Sequence, residues 1–146
     1  MSQAAWGTEH SVETHASQRF AWDYMSNVSN WKDPPARFHL DGPFVTGAKG
    51  TTQMPDQPAQ HWQLTDVAPM ESYTVEFSLD RATLSFKWMF CPTSGRTQLT
   101  QRVRLSGENA AEYRDAVQKT FSLNLGPGME KIAQAIDQAC SSVKEI

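Results

Sequence analysis

Few residues of this 146-residue chain have side chains suited to chemistry, and they are scattered along it. Imidazole titrates near neutral pH and binds metals, so the four histidines are the first candidates. No two of them have the spacing that places a metal-binding pair on one face of a helix or strand. We therefore predict surface positions for all four and no metal site. They are His10, His15, His39 and His61.

The motifs of nucleotide-binding loops, metalloprotease helices and serine-hydrolase turns are absent from the sequence. The segment from Gly47 to Thr51 has the residue types of a phosphate-binding loop in the wrong order, and it is interpreted as a turn. Cys91 and Cys140 are too far apart for a metal-type pair and are interpreted as reduced thiols. The chain is therefore expected to hold no cofactor.

Four polar residues share the phase of apolar neighbours, where a buried polar group is costly unless it is hydrogen-bonded. Ligand pockets use a few such groups to orient the bound molecule. We therefore consider a ligand-orienting role for each, while a strand end that reaches water is the alternative for two of them, Asp66 and Tyr73. The full set is Asp66, Tyr73, Gln101 and Asn124.

Alternating apolar and polar residues predict strands that position most of these groups. Four such runs joined by short turns between residues 60 and 106 predict an antiparallel meander with one buried face. A weaker pattern predicts an opening strand over residues 4–15, followed by a short helix with Ser17 as its N-cap. Pro34-Pro35 ends the segment after this helix, and Trp31 is expected to plug the helix against the sheet.

The last segment is predicted to be one long helix. Apolar residues recur every three or four positions from Tyr113 to Cys140, which predicts about 30 helical residues, or roughly 45 Å. Asn109 and Glu112 have the spacing of a capping box at its start. Gly126-Pro127-Gly128 interrupts the pattern, and since proline removes an intrahelical hydrogen bond, we predict a bend or a break there.

Composition narrows the class of protein. The chain is 10% aromatic with a mean hydropathy of −0.54, which indicates a polar surface around large aromatic side chains. A net charge of −3 gives no reason to expect nucleic acid as a partner. No stretch approaches the roughly 18 apolar residues of a membrane span, and the N-terminus lacks a signal-peptide pattern. We expect one cytoplasmic domain over residues 1–146, as a monomer or homodimer.

The order of these elements resembles the helix-grip fold of the START-like superfamily, also called SRPBCC or Bet v 1-like. The likeness is greatest to its branch of polyketide cyclases/dehydrases and lipid transport proteins. Residues 16–22 resemble the entry into the family's first helix, and Asn30-Trp31 its following tryptophan. Residues 42–50 are similar to its G-x-F-x-x-G-x-x-G hairpin, and residues 95–103 to a later strand start.

The resemblance covers about residues 5–140 and implies an α+β helix-grip fold. In this fold a curved antiparallel sheet wraps around a long C-terminal helix and leaves a hydrophobic pocket between them. The superfamily has no universal catalytic motif, so no active-site residue is carried over. The residues predicted to bind a ligand come from the in-phase face of sheet and helix. They are Trp62, Tyr73, Phe77, Phe86, Trp88, Gln101, Val117, Phe121 and Leu125.

Three functions are compatible with the sequence. The first is binding of a small hydrophobic ligand, such as a lipid, an aromatic or a polyketide-like compound, in a cavity between the sheet and the helix. The second is a polyketide cyclase or dehydratase, for which Asp66, Tyr73 and His61 are the acid–base candidates. The third is a protein-interaction or stress module whose core is filled.

Overall fold

One antiparallel sheet and one long helix make up most of the molecule, which we describe from a computed structural model over residues 4–31 and 35–144. The seven strands are arranged in the order β1-β7-β6-β5-β4-β3-β2. Pro34, part of the predicted break, lies outside the described residues. The elements are β1 (Ala4–Thr14), α1 (Gln18–Met25), a 3₁₀ turn (Val28–Asn30), β2 (Arg37–Asp41), β3 (Lys49–Gln53), β4 (Gln60–Ala68), β5 (Ser72–Leu79), β6 (Ala82–Thr93), β7 (Arg96–Ser106) and α2 (Ala110–Lys144).

The helix-grip architecture predicted from the sequence is confirmed. Strands β4 to β7 form the expected meander, and each pairs antiparallel with the next. Strand β1 joins the far side of β7, so the N-terminal strand lies at one edge of the sheet and β2 at the other. We call the sheet face that α2 covers the inner face. Its buried core includes Leu64, Leu99, Val103 and, on α2, Met129 and Ile136.

The short helix α1 begins as predicted. The hydroxyl of Ser17 accepts a hydrogen bond from the Phe20 N–H at 3.1 Å, which satisfies one of the free donors at the helix start. After the 3₁₀ turn, the indole N–H of Trp31 donates to the carbonyl of Met25 at 2.7 Å. The Trp31 ring stacks on Trp62 at a centroid distance of 5.4 Å. Trp31 therefore plugs this helical segment against the sheet, as the sequence predicts.

Helix α2 is a single helix of 35 residues, roughly 52 Å long, and the predicted break at Gly126-Pro127-Gly128 does not occur. It starts directly after Asn109, whose side chain donates to the Asp80 carbonyl at 3.1 Å. Beyond the proline, Met129 and Ile136 are fully buried against the sheet. Tertiary packing on both sides of Pro127 thus keeps the helix continuous where the local rule predicts an interruption.

Pro127→Ala is expected to stabilise the protein. Pro127 lies inside α2 and is exposed, so replacing it restores a backbone hydrogen bond at no loss of packing. A proline in a helix interior lowers the free energy of unfolding by about 3 kcal/mol. Proline also restricts the unfolded chain, which raises the free energy of unfolding by less than about 1 kcal/mol. The free energy of unfolding in urea should therefore rise by about 2 kcal/mol. A decrease would show that α2 is bent at Pro127 in solution, and exposed Ser122→Ala serves as the control.

Candidate ligand-binding site

The inner face of the sheet consists of rows of cross-strand partners. Because strand side chains alternate between faces, each row places its side chains next to one another on the inner face. The first row contains His10, Gln101, Trp88 and Tyr73; the second Thr8, Val103, Phe86, Val75 and Leu64; the third Trp6, Leu105, Leu84, Phe77 and Trp62.

One end of this face is filled by a packed aromatic cluster. Tyr73 is 1% exposed and packs edge-on against Phe44 at 5.0 Å between ring centroids, and Trp31 stacks over it at 6.3 Å. The indole N–H of Trp62 donates to Thr52 at 3.0 Å. The predicted ligand-binding residues Tyr73 and Trp62 therefore lie inside a packed cluster. The aromatic cluster comprises Trp22, Trp31, Phe44, Trp62, Tyr73 and Phe90.

The middle of the inner face is packed less tightly. Phe86 contacts Phe77 at 5.8 Å and Phe121 of α2 at 5.2 Å, both in edge-to-face geometry. These rings point inward, yet each keeps part of its surface accessible to water. Inward apolar surface that stays accessible is what a ligand would bury. We call this region the apolar groove, and it is lined by Phe77, Leu84, Phe86, Val117 and Phe121.

The other predicted ligand-binding residues lie beside the groove. Gln101 is half-buried in the first row and is the cross-strand partner of Trp88, which is buried. Leu125 is buried on α2, one turn beyond Phe121. The nine predicted positions are therefore divided between the aromatic cluster, which contains two of them, and the groove with its border.

Two of the four predicted orienting residues are not on the inner face. Asp66 is exposed, because the pairing of β4 with β5 shifts register between Thr65 and Ala68 and Asp66 has a positive φ of 52°. Its carboxylate lies 3.6 Å from the Lys87 ammonium group. Asn124 is also exposed. Residues four apart on a helix differ in direction by about 40°, so a stripe of such residues winds slowly around α2. Near position 124 the stripe therefore faces a different side of α2 from the Asn124 side chain.

His10 corrects another prediction. His15, His39 and His61 are exposed, as expected, but His10 is half-buried on the inner face. His10 is separated from Trp6 and Val12 by even numbers of residues, so all three side chains lie on the inner face of β1. The alternation of Trp6, Thr8, His10 and Val12 was visible in the sequence and would have predicted this placement. The weak alternation of residues 4–15 was not used to assign His10 to a face, and this residue was predicted to face solvent.

Two surface depressions lie away from the groove. One of about 410 Å³ lies along the exposed face of α2 around Lys119 and Ser122, and one of about 440 Å³ lies between the 3₁₀ turn and β2 around Asn27 and His39. Neither is lined by a residue predicted to bind a ligand. The candidate site is therefore the apolar groove, whose side chains point inward and stay partly accessible. Neither depression is part of it.

Within residues 4–31 and 35–144, no three His, Cys, Asp or Glu side chains are grouped so that they could hold a metal ion. Over the same residues, no helix combines the length and the hydrophobicity needed to cross a bilayer.

Tyr73 gives the aromatic cluster a pH dependence that can be measured. Burial raises the pKa of its phenol well above the ordinary value of 10.0, because the charged form loses its hydration. The folded state keeps the proton above pH 10 while the unfolded state releases it, so stability falls as pH rises. The free energy of unfolding is expected to fall by up to about 1.4 kcal/mol per pH unit between pH 10 and 11. Tyr73→Phe should remove this slope, and an equal slope in both proteins would show that the phenol is accessible.

The protein has a helix-grip fold, the architecture also seen in START-like, or Bet v 1-like, structures. No protein-family model matches the chain. No curated protein matches its sequence either. The comparison with solved structures therefore shows the fold of the chain.

Among solved structures, the chain is similar to truncated norcoclaurine synthase from Thalictrum flavum, at a TM-score of 0.70 and 13% identity over 96% of this chain and 94% of that one. It is similar to protein Ms6760 from Mycobacterium smegmatis, at a TM-score of 0.62 and 17% identity over 94% and 92%. The di-domain ARO/CYC protein StfQ of the steffimycin biosynthetic pathway matches at a TM-score of 0.69 and 14% identity, over 93% of this chain and 52% of that protein.

Proposed function

We propose that this protein binds a small, mostly apolar aromatic molecule in the apolar groove. The observation that carries the proposal is that the rings of Phe77, Phe86 and Phe121 point inward but keep accessible surface. Burying such surface contributes about 25 cal/mol per Å², and aromatic pairs add up to about 1.5 kcal/mol each. The ligand would therefore gain most of its affinity from these three rings.

Other residues would shape the site around this contact. Val117 and Leu125 extend the wall along α2, and Gln101 and Trp88 border the groove on the sheet. The aromatic cluster, with Trp62 and Tyr73, would hold the strands in place behind the groove and not contact the ligand, since both side chains are buried by neighbouring rings.

The structural neighbours support a ligand of this kind. Norcoclaurine synthase was solved in complex with dopamine and hydroxybenzaldehyde, which are both single-ring aromatics. StfQ is a di-domain ARO/CYC protein from the steffimycin biosynthetic pathway. These facts concern those proteins, and they make substituted aromatics the natural first compounds to test on this one.

The acid–base residues predicted from the sequence for a cyclase or dehydratase lie outside the groove. A general acid or base must come within hydrogen-bond reach of the substrate. Asp66 and His61 are exposed and lie outside the groove. Tyr73 is buried among the rings of the aromatic cluster and does not line the groove. Binding is therefore the function that these residues support best.

The proposal is tested by titrating the protein with the fluorescent probe 8-anilinonaphthalene-1-sulfonate and displacing it with 2-ethylnaphthalene. We expect one saturable site from which the hydrocarbon displaces the probe. Phe121→Ser should weaken probe binding about tenfold, since it removes one of the three groove rings. Leu123→Ser is the matched control, because Leu123 is on the same helix but 74% exposed, and its affinity should stay within about twofold.

The opposite result would favour the interaction module with a filled core. In that case the probe shows no saturable binding, or Phe121→Ser and Leu123→Ser change its affinity equally. Either outcome would overturn the binding function.

A further inference from the structure

We propose that His10 and Gln101 form the polar end of the apolar groove and together hydrogen-bond an oxygen acceptor, a carbonyl or a carboxylate, on the bound molecule. The inference deepens the proposed function and rests on it. The two residues are direct cross-strand partners on β1 and β7, and both side chains are half-buried on the inner face. Cross-strand side chains on one face lie about 5 Å apart at Cβ, close enough to reach one atom.

Helix α2 approaches this pair closely because of a glycine. A Cβ on Gly126 would lie 3.4 Å from Cε1 and 3.5 Å from Nε2 of the His10 imidazole. The imidazole therefore lies against the α2 backbone. Leu125, the preceding residue, belongs to the buried stripe that continues from Phe121 in the groove. The pair is thus placed where the apolar groove meets the β1 edge of the sheet.

Three buried threonines of this face already have partners. The Thr14 hydroxyl donates to the Asp137 carboxylate, the Thr97 hydroxyl donates to the Ala16 carbonyl at 2.9 Å, and Thr52 accepts from Trp62. Buried polar groups without such bonds are costly, which is why native structures rarely contain them. These threonines are therefore already engaged in hydrogen bonds within the protein.

His10 and Gln101 differ from these threonines. Neither side chain makes a hydrogen bond within the part of the chain that the structure describes, not even to the other. Over those residues, Thr93 Oγ1 is the one side-chain polar atom that is both sealed and unpartnered. The polar atoms of His10 and Gln101 are not sealed in this way, and both side chains keep unused hydrogen-bonding capacity.

The chemistry of the pair selects an acceptor. The Gln101 amide offers two N–H donors, and the imidazole offers one when neutral and two when protonated. Charged side chains on the two strands do not compete, because Glu9 and Arg102 are paired with each other at 2.8 Å on the outer face. On α2, Glu130 is exposed, and Asp137 accepts from Thr14 and from the His15 N–H. A carbonyl or carboxylate oxygen is the group that both donors can share.

The experiment compares three probes of one shape by isothermal titration: 2-ethylnaphthalene, 2-acetylnaphthalene and 2-naphthoic acid. The protein is expected to bind at least one oxygen-bearing probe about tenfold more tightly than the hydrocarbon, as two added hydrogen bonds imply. Preference for the ketone identifies a carbonyl ligand, and preference for the acid alone identifies a carboxylate. His10→Phe and Gln101→Leu should each reduce the affinity advantage of the preferred probe over the hydrocarbon to about twofold. His61→Phe changes an exposed histidine and should leave that advantage at about tenfold.

The outcomes separate the two proposals. If all three probes bind with similar affinity, the His10–Gln101 inference is wrong and the binding function stands; if none binds, both fail. Should a variant fail to fold, the intact protein still decides: saturation with the preferred probe should shift the His10 imidazole ¹⁵N resonances and leave those of His61 in place. Unchanged His10 resonances at saturation would overturn the inference.

Discussion

Gly50→Ala is expected to destabilise the protein by about 3 kcal/mol, although it adds only one methyl group. A Cβ at this position would lie 2.3 to 2.6 Å from three carbons of the Trp62 ring, well inside contact distance. The ring cannot move aside easily, because it stacks on Trp31 and its N–H bonds Thr52. Overpacking costs about 1 to 3 kcal/mol, and expelling a buried tryptophan costs about 3 to 5 kcal/mol.

Urea unfolding monitored by tryptophan fluorescence measures this loss. The matched control is Gly128→Ala in α2, where no atom lies within 4 Å of the added Cβ. Alanine is favoured over glycine in a helix, so the control should be more stable by about 0.5 to 1 kcal/mol. If Gly50→Ala costs less than about 1 kcal/mol, Trp62 does not pack on Gly50 and the aromatic cluster is looser than described.

Phe86→Ala and Leu99→Ala are expected to have opposite effects on stability and on ligand affinity. Phe86 is half-exposed in the groove, so its loss should lower the free energy of unfolding by only about 1 to 2 kcal/mol. It should also weaken the binding of 2-ethylnaphthalene about tenfold, because the ring is part of the binding surface. Leu99 is 0% exposed, and its truncation should cost about 2 to 5 kcal/mol while affinity stays within about twofold.

The same two measurements, unfolding and hydrocarbon titration, can contradict this account. A loss of 3 to 5 kcal/mol for Phe86→Ala, with hydrocarbon affinity unchanged, is the behaviour of a fully packed core ring. That result would place Phe86 in the core together with Leu99, and the groove would then be filled by the protein itself.

The architecture was predictable because periodicity is a local signal. Alternation from residues 60 to 106 identifies four strands, and the change of period after Gly107 identifies α2. The role of Trp31 as a plug was also predictable, since an apolar ring in a broken segment next to a helix must be buried somewhere. The phase of each strand then assigns the groove rings to the inner face.

The errors come from interactions between distant residues. Asp66 does not lie on its predicted face, because the strand pairing shifts register there and Asp66 has a positive φ. The residue type alone does not predict this conformation. Pro127 stays inside a continuous helix because Met129 and Ile136 pack against the sheet. Gly50 matters because β3 pairs with β4 and places it opposite Trp62, a partner twelve residues away. Local sequence rules carry no information on such contacts.

The most direct test of the central claim, that the apolar groove binds an aromatic ligand, is a set of intermolecular nuclear Overhauser effects from bound 2-ethylnaphthalene. We expect contacts from the hydrocarbon to the ring protons of Phe86 and Phe121 and to the Val117 methyl groups. Phe86 lies on the sheet side of the groove, and Phe121 and Val117 lie on α2. We expect none to Leu123, which is exposed on the other side of α2. Contacts to Leu123 alone, or no contacts at saturating ligand, would contradict the claim.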